Sequence, residues 1–257
     1  MKGFYRLFNL EFSKWLVFIA LSCAAAIVLP PVLLVRQLKS YNEFTVNERF
    51  EEAFASSGGI FVFMILLALV CAFFLITVYA DYWGGKSVYT YLTLPVKREA
   101  LYFGKLTAFA ACLLLLLASQ LIGIRFGYAL YAAKVASYGE GRFAMHNGYF
   151  LAMIRSDFFR LLLPLGFSRI LSTLAMFLTV ATGFYYGAIC ERSRKYFGFT
   201  AIAAAAWILI DAIGYRLHET ARYSEPTGLY ISSALLLALS GFFVWHGLSL
   251  VRKGAIA

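Results

Sequence analysis

Gly85-Lys86-Ser87 is the residue pattern with the most obvious chemical promise. It has the ending of a glycine-rich loop whose backbone N–H groups cradle phosphates while a lysine reaches the outer oxygens. Such a loop needs its first glycine five residues earlier, where the chain has Ala80, and a strand before it, where an apolar stretch runs from Gly58 to Ala80. These residues therefore hold no nucleotide. The paired carboxylates Glu51-Glu52 could do acid–base or metal chemistry, but no downstream arginine and membrane-histidine pairs complete such a centre. His146, His218 and His246 give no i, i+4 pair on a helix, so a zinc site is not expected. Cys23, Cys71, Cys112 and Cys190 lie inside apolar stretches or at their edges, where they neither pair across an exposed loop nor show metal-ligand spacing. No acid, base or metal cluster points to catalysis, and the chain is expected to be neither an enzyme nor the holder of a cofactor.

One ionisable pair is worth separating from this. Asp211 interrupts an apolar stretch, and Arg125 follows another near what should be the same surface. An acid inside a membrane faces protein or water and finds a partner, so pairing with Arg125 or a basic residue of 155–169 is expected.

The elements that carry these residues are six stretches of about bilayer-crossing length: Trp15–Val35, Gly58–Ala80, Leu106–Ile124, Ile170–Cys190, Tyr196–Tyr215 and Pro226–Val251. Only Asp211 and His246 interrupt them. A spanning helix needs roughly 20 apolar residues, because hydrocarbon gives backbone N–H and C=O groups no partner but the helix itself. Six such stretches in 257 residues leave too little polar surface to cover them in water. The composition agrees, with 62% hydrophobic and 14% charged residues, against about 25% charged in a soluble domain. The expected fold is all-α, a single membrane domain of six transmembrane helices over residues 1–257, with no room for a soluble catalytic domain. The first stretch lacks a small-residue cleavage site and reads as a retained helix, not a signal peptide.

Basic residues give the orientation. With the N-terminus cytoplasmic, segments 1–14, 81–105, 191–195 and 252–257 face inside and hold twelve lysines and arginines in 50 residues. The outside segments, 36–57, 125–169 and 216–225, hold eleven in 77. Positive charge is denser inside, as the positive-inside rule expects. The short basic connection Glu191–Lys195 weighs most, while 125–169, with six basic residues against two acids, weighs the other way. Both termini are expected in the cytoplasm of a bacterial-type plasma membrane. The net charge of +10 then belongs to lipid- and partner-facing surfaces and does not call for nucleic acid.

Between the stretches, Lys2, Arg6, Asn9 and Ser13 recur at helical spacing opposite Phe4, Leu7, Phe8, Phe12 and Trp15. This predicts an amphipathic interfacial helix over 1–14. The acidic 36–57 segment should form a short helix or loop, and Gly148–Gly166 one interfacial helix leading into the fourth span through Pro164 and Gly166.

The longest inside connection, Asp81–Lys105, places Asp81 and Gly84-Gly85 ahead of a short aromatic run with Lys86, Tyr89, Tyr91 and Leu92. Leu94-Pro95 follows, then Lys97-Arg98 and Gly104-Lys105. Proline ends the short helix, since the residue before it is pushed out of the helical region. An aromatic helix of this kind, lying under a membrane, suits a partner's groove. Here the chain resembles the permease subunits of type-2 ABC transporters, whose loop between spans two and three has an acid, a glycine turn, a coupling helix, leucine-proline with a basic residue, and glycine-lysine opening span three. Asp81 stands where glutamate is common, and Lys86-Ser87 where threonine is, which leaves the subfamily and substrate open. The resemblance implies that Gly85–Leu94 is the coupling helix and that ATP is bound and hydrolysed on separate ABC ATPase subunits. It further implies a second permease, identical or sister, with the substrate path between the two, and export as the direction. A secondary transporter driven by an ion gradient is the alternative. It would usually carry more intramembrane charge than Asp211 and broken helices at matched positions. An intramembrane enzyme is the weaker one.

Overall fold

The computed structural model describes residues 2–41, 48–83, 98–137, 148–217 and 227–253. Of the described residues 90% are helical and none lies in a strand. The described helices are α1 (Lys2–Leu38), α2 (Phe50–Ser56), α3 (Gly59–Trp83), α4 (Arg98–Ala136), α5 (Tyr149–Arg155), α6 (Asp157–Leu162), α7 (Phe167–Arg192), α8 (Gly198–Leu217) and α9 (Thr227–Arg252). Six of them, α1, α3, α4, α7, α8 and α9, are long and apolar enough to cross a membrane. Large apolar side chains lie exposed along them, including Val17, Leu21, Phe61 and Trp207. In water such a surface would drive association; against acyl chains it costs nothing.

Three elements differ in extent from the sequence expectation. The interfacial helix over 1–14 is not a separate element: α1 runs without a break from Lys2 to Leu38. No glycine or proline falls between Phe4 and Leu29, so nothing stops helical hydrogen bonding at the membrane border. The third span, expected over 106–124, is the central part of the 39-residue α4. Hydropathy marks only what hydrocarbon requires, whereas the proline-free run on both sides keeps the backbone helical, with Glu99 in the first turn and Lys134 in the last matching the helix dipole. The single helix expected over 148–166 is two short ones, α5 and α6, parted at Ser156. That residue is extended (ψ 125°) and its hydroxyl caps α6 by accepting from the Phe159 N–H at 3.4 Å.

The chain packs as two units. One comprises Met1–Leu16, Cys71–Cys112 and Pro164–Ala257. Its core is aromatic. Phe74 stacks on Phe109 with centroids 4.1 Å apart, Trp15 meets Phe73 edge-on at 4.9 Å, and Tyr102 stacks on Tyr185 at 4.9 Å. Helices α7 and α9 pair along their length. There the Thr179 hydroxyl donates to the carbonyls of Ala175, at 2.8 Å, and of Leu236, at 3.2 Å, a polar bridge between helices of the kind that holds packing where no hydrophobic drive operates.

The other unit comprises Val17–Val70 and Leu113–Leu163. Phe50 of α2 is its hub, with ring centroids of Tyr128, Tyr131 and Phe159 at 5.3, 5.6 and 5.8 Å. The Tyr131 hydroxyl donates to the Glu48 carbonyl at 2.9 Å and ties the start of α2 to α4. Below this cluster α1 and α4 touch backbone to backbone. Pro30 and Pro31 have no N–H to give the carbonyls four residues earlier, those of Ala26 and Ile27. Gly123 lies against those two carbonyls, and a Cβ there would sit 2.5 Å from Ala26 O. Only glycine fits.

Candidate functional site

The sequence places its candidate site in the connection between α3 and α4. Asp81 lies in the last turn of α3. Gly85, Lys86, Tyr89, Tyr91, Leu92, Leu94, Pro95 and Lys97 lie outside the described residues. What the structure does describe is the pair of stems that carry this connection. On the α3 stem the Tyr79 hydroxyl donates to the Glu191 carboxylate at the end of α7. On the α4 stem Glu99 accepts from Arg252 Nε of α9 at 2.8 Å. Each stem is thus joined to the end of a different helix. The Glu99–Arg252 pair is exposed on both sides, so it orients more than it stabilises.

A second contact layer lies one to two turns further along α4. Gly104 lets α1 approach: a Cβ there would meet Leu7 Cβ at 3.6 Å. The next residue, Lys105, is buried (7% exposed), as is Glu11 of α1 (6%). Both line one small cavity with Trp15, Phe74, Thr77 and Val78. Glu11 also accepts from Lys14 Nζ at 3.2 Å. Buried charges hold only when paired or hydrogen-bonded, so this cluster positions the base of α4 against α1. Sequence reading assigned Gly104-Lys105 to the motif but missed Glu11, because the polar set Lys2, Arg6, Asn9 and Ser13 follows a different stripe. The readable signal was the buried series Leu7, Glu11, Trp15 and Ile19 at i+4 spacing, an acid inside an apolar row.

Arg125 and Asp211 belong to different units. Arg125, inside α4 and not in a loop, holds its guanidinium carbon 5.2 Å from the Tyr149 ring centre and 5.9 Å from that of Tyr128. Burial pushes the Tyr149 phenol above its ordinary value, with Arg125 pulling the other way, so the ring stays neutral beneath the cation. Asp211 is exposed on α8 and forms no ion pair among the described residues.

His246 accepts or donates at Nδ1 to the Tyr186 hydroxyl, 2.7 Å away, beside Trp245 and Phe242. No group of three metal-ligating side chains occurs among the described residues. No family model matches the chain, no curated protein matches it, and no solved structure matches it. The site therefore rests on its own geometry: polar clasps at both stems of one connection.

Proposed function

We propose that this chain is the permease subunit of an ATP-driven transporter of the type-2 ABC class, with export as its direction. The observation that carries the reading is the connection between α3 and α4. Its sequence, from Asp81 through Gly85, Leu94-Pro95 and Lys97 to Gly104-Lys105, resembles that of a coupling loop. Its stems are clasped to α7 and α9 through Tyr79–Glu191 and Glu99–Arg252. A force applied to a helix between such stems passes to four spanning helices together. The chain has no nucleotide-binding loop of its own, so a separate ATPase pair supplies ATP binding and hydrolysis. A second permease, identical or sister, completes the substrate path. Both termini and residues 81–105 face the cytoplasm, in keeping with the denser positive charge of those segments.

Tyr89, Tyr91 and Leu92 are the docking anchors in this reading, since buried aromatic residues dominate compact interfaces. Lys86 and Lys97 are rim charges that steer an acidic groove. Affinity purification from the native membrane is expected to recover an ABC ATPase. Replacing Tyr89 and Tyr91 together by alanine should leave the permease inserted while ATPase recovery falls about tenfold or more, as loss of two anchors implies, and transport stops following hydrolysis. Recovery and transport equal to wild type would place the docking elsewhere.

A further inference from the structure

A cavity of about 380 Å³ in the first unit lies among α3, α7, α8 and α9. Leu75, Val180, Phe184, Ile202, Ala206 and Leu209 make its walls. Along α7 the lining runs from Thr179 to Glu191, which at about 1.5 Å per residue makes a slot roughly 18 Å long. Its polarity is one-sided. The Thr179 hydroxyl at the deep end is satisfied by backbone carbonyls. The polar groups at the other end are Tyr79 and Glu191, which bond to each other.

That polar end meets the turn between α7 and α8. Across Glu191–Lys195 the chain carries a net charge of +2. Arg194 and Lys195 are exposed and make no ion pair among the described residues. The next two side chains, Tyr196 and Phe197, are 67% and 89% exposed. Exposed rings beside cations are the pattern of the headgroup level of a bilayer. The slot therefore opens at headgroup depth and runs into the hydrocarbon, parallel to α7.

We infer that this slot holds one acyl chain of an anionic membrane phospholipid, with the phosphate on Arg194 and Lys195. An apolar wall of this length takes a hydrocarbon chain and offers a polar ligand almost nothing. The acid at the mouth is engaged by Tyr79, leaving the turn positive. Cations at a membrane surface favour anionic over neutral lipid by about fivefold per charge. The assignment is independent of the transport reading: it stands on the cavity and the turn whatever the chain moves.

The test is native mass spectrometry of the purified chain after exposure to micelles holding equal phosphatidylglycerol and phosphatidylcholine of matched acyl length. The wild type should retain one phosphatidylglycerol in preference to phosphatidylcholine. The double variant R194Q/K195Q should lose that preference by about 25-fold, fivefold for each charge, while still accepting a chain. Ala206→Phe, which fills the slot from α8, should retain neither lipid. Val180→Phe fills it from α7 and serves if the first variant fails to fold, helical content being checked by circular dichroism. Equal retention of the two lipids by the wild type overturns the inference. So does undiminished phosphatidylglycerol retention in a folded, filled variant.

Discussion

Tyr102 shows how a single side chain in this protein is held by its ring and not by its hydroxyl. It is 1% exposed, stacks on Tyr185 and packs against Gly247, yet its hydroxyl has no hydrogen-bond partner among the described residues. A buried polar group without a partner costs about 1–3 kcal/mol. Tyr102→Phe keeps the stack and removes that cost, so the thermal midpoint in detergent should hold or rise, by about 1 kcal/mol or more of stability. A clear fall would mean that the hydroxyl has a partner in the membrane. Glu51 poses the same problem more sharply, since both carboxylate oxygens are buried without a partner among the described residues. Asp211 is the opposite case, a carboxylate exposed on a helix apolar enough to span. At the centre of a spanning helix such a group costs about 2.5–3.5 kcal/mol on insertion scales, which is the ground for proposing that it is paired in the assembled protein. Asp211→Asn is then expected to lower thermal stability and transport, and identical melting curves and transport rates would leave the pairing without support.

At the scale of elements, the crossing of α1 and α4 is a demanding contact, since backbone meets backbone there. Two adjacent prolines strip the partners from the carbonyls of Ala26 and Ile27, and Gly123 brings α4 onto them. A methyl group at Gly123 must push the two backbones apart. Gly123→Ala should therefore destabilise the protein by about 1–3 kcal/mol or more, the range of overpacked cores, read as a lower thermal midpoint with helical content unchanged. Wild-type stability in this variant would mean that the two helices can separate freely. Elements also show how far pattern reaches. The six spans are legible because each must be apolar along its length. Their ends are not, because a helix continues into water wherever no proline, glycine or cap stops it, as α4 does beyond Arg125. The break at Ser156 was equally hidden: a serine at an extended ψ caps a helix, but nothing in Arg155-Ser156-Asp157 requires one there.

For the whole molecule the informative quantity is the distribution of charge. Positive residues are denser in the N-terminus, the α3–α4 connection, the α7–α8 turn and the C-terminus taken together, which is the ground for the proposed orientation with all four in the cytoplasm. Single cysteines at Ser40 or Ser137 should react with an impermeant thiol reagent in intact cells, while one at Ser193 should be protected until the membrane is opened. Labelling at Ser193 from outside would invert the topology. The native cysteines do not interfere, three of them being buried and Cys23 lying within α1.

The sequence alone determined a helical fold, borne out by described residues that are 90% helical with none in a strand, six helices long and apolar enough to cross a bilayer, and an asymmetric charge. Hydrocarbon imposes these on every residue of a span, so they can be read locally. The candidate coupling residues from Gly85 to Lys97 rest on sequence pattern alone and lie outside the described residues. Tertiary structure alone decided what meets what. Glu11 joins Lys105 in one small cavity, Tyr79 and Glu99 clasp the ends of α7 and α9, Gly123 closes on two freed carbonyls, and an 18 Å slot (roughly, at 1.5 Å per residue) ends at a basic turn. Those depend on the rotation of one helix against another. Among helices that are apolar on nearly every side, hydrophobicity does not select that rotation; the few small and polar residues at their contacts do.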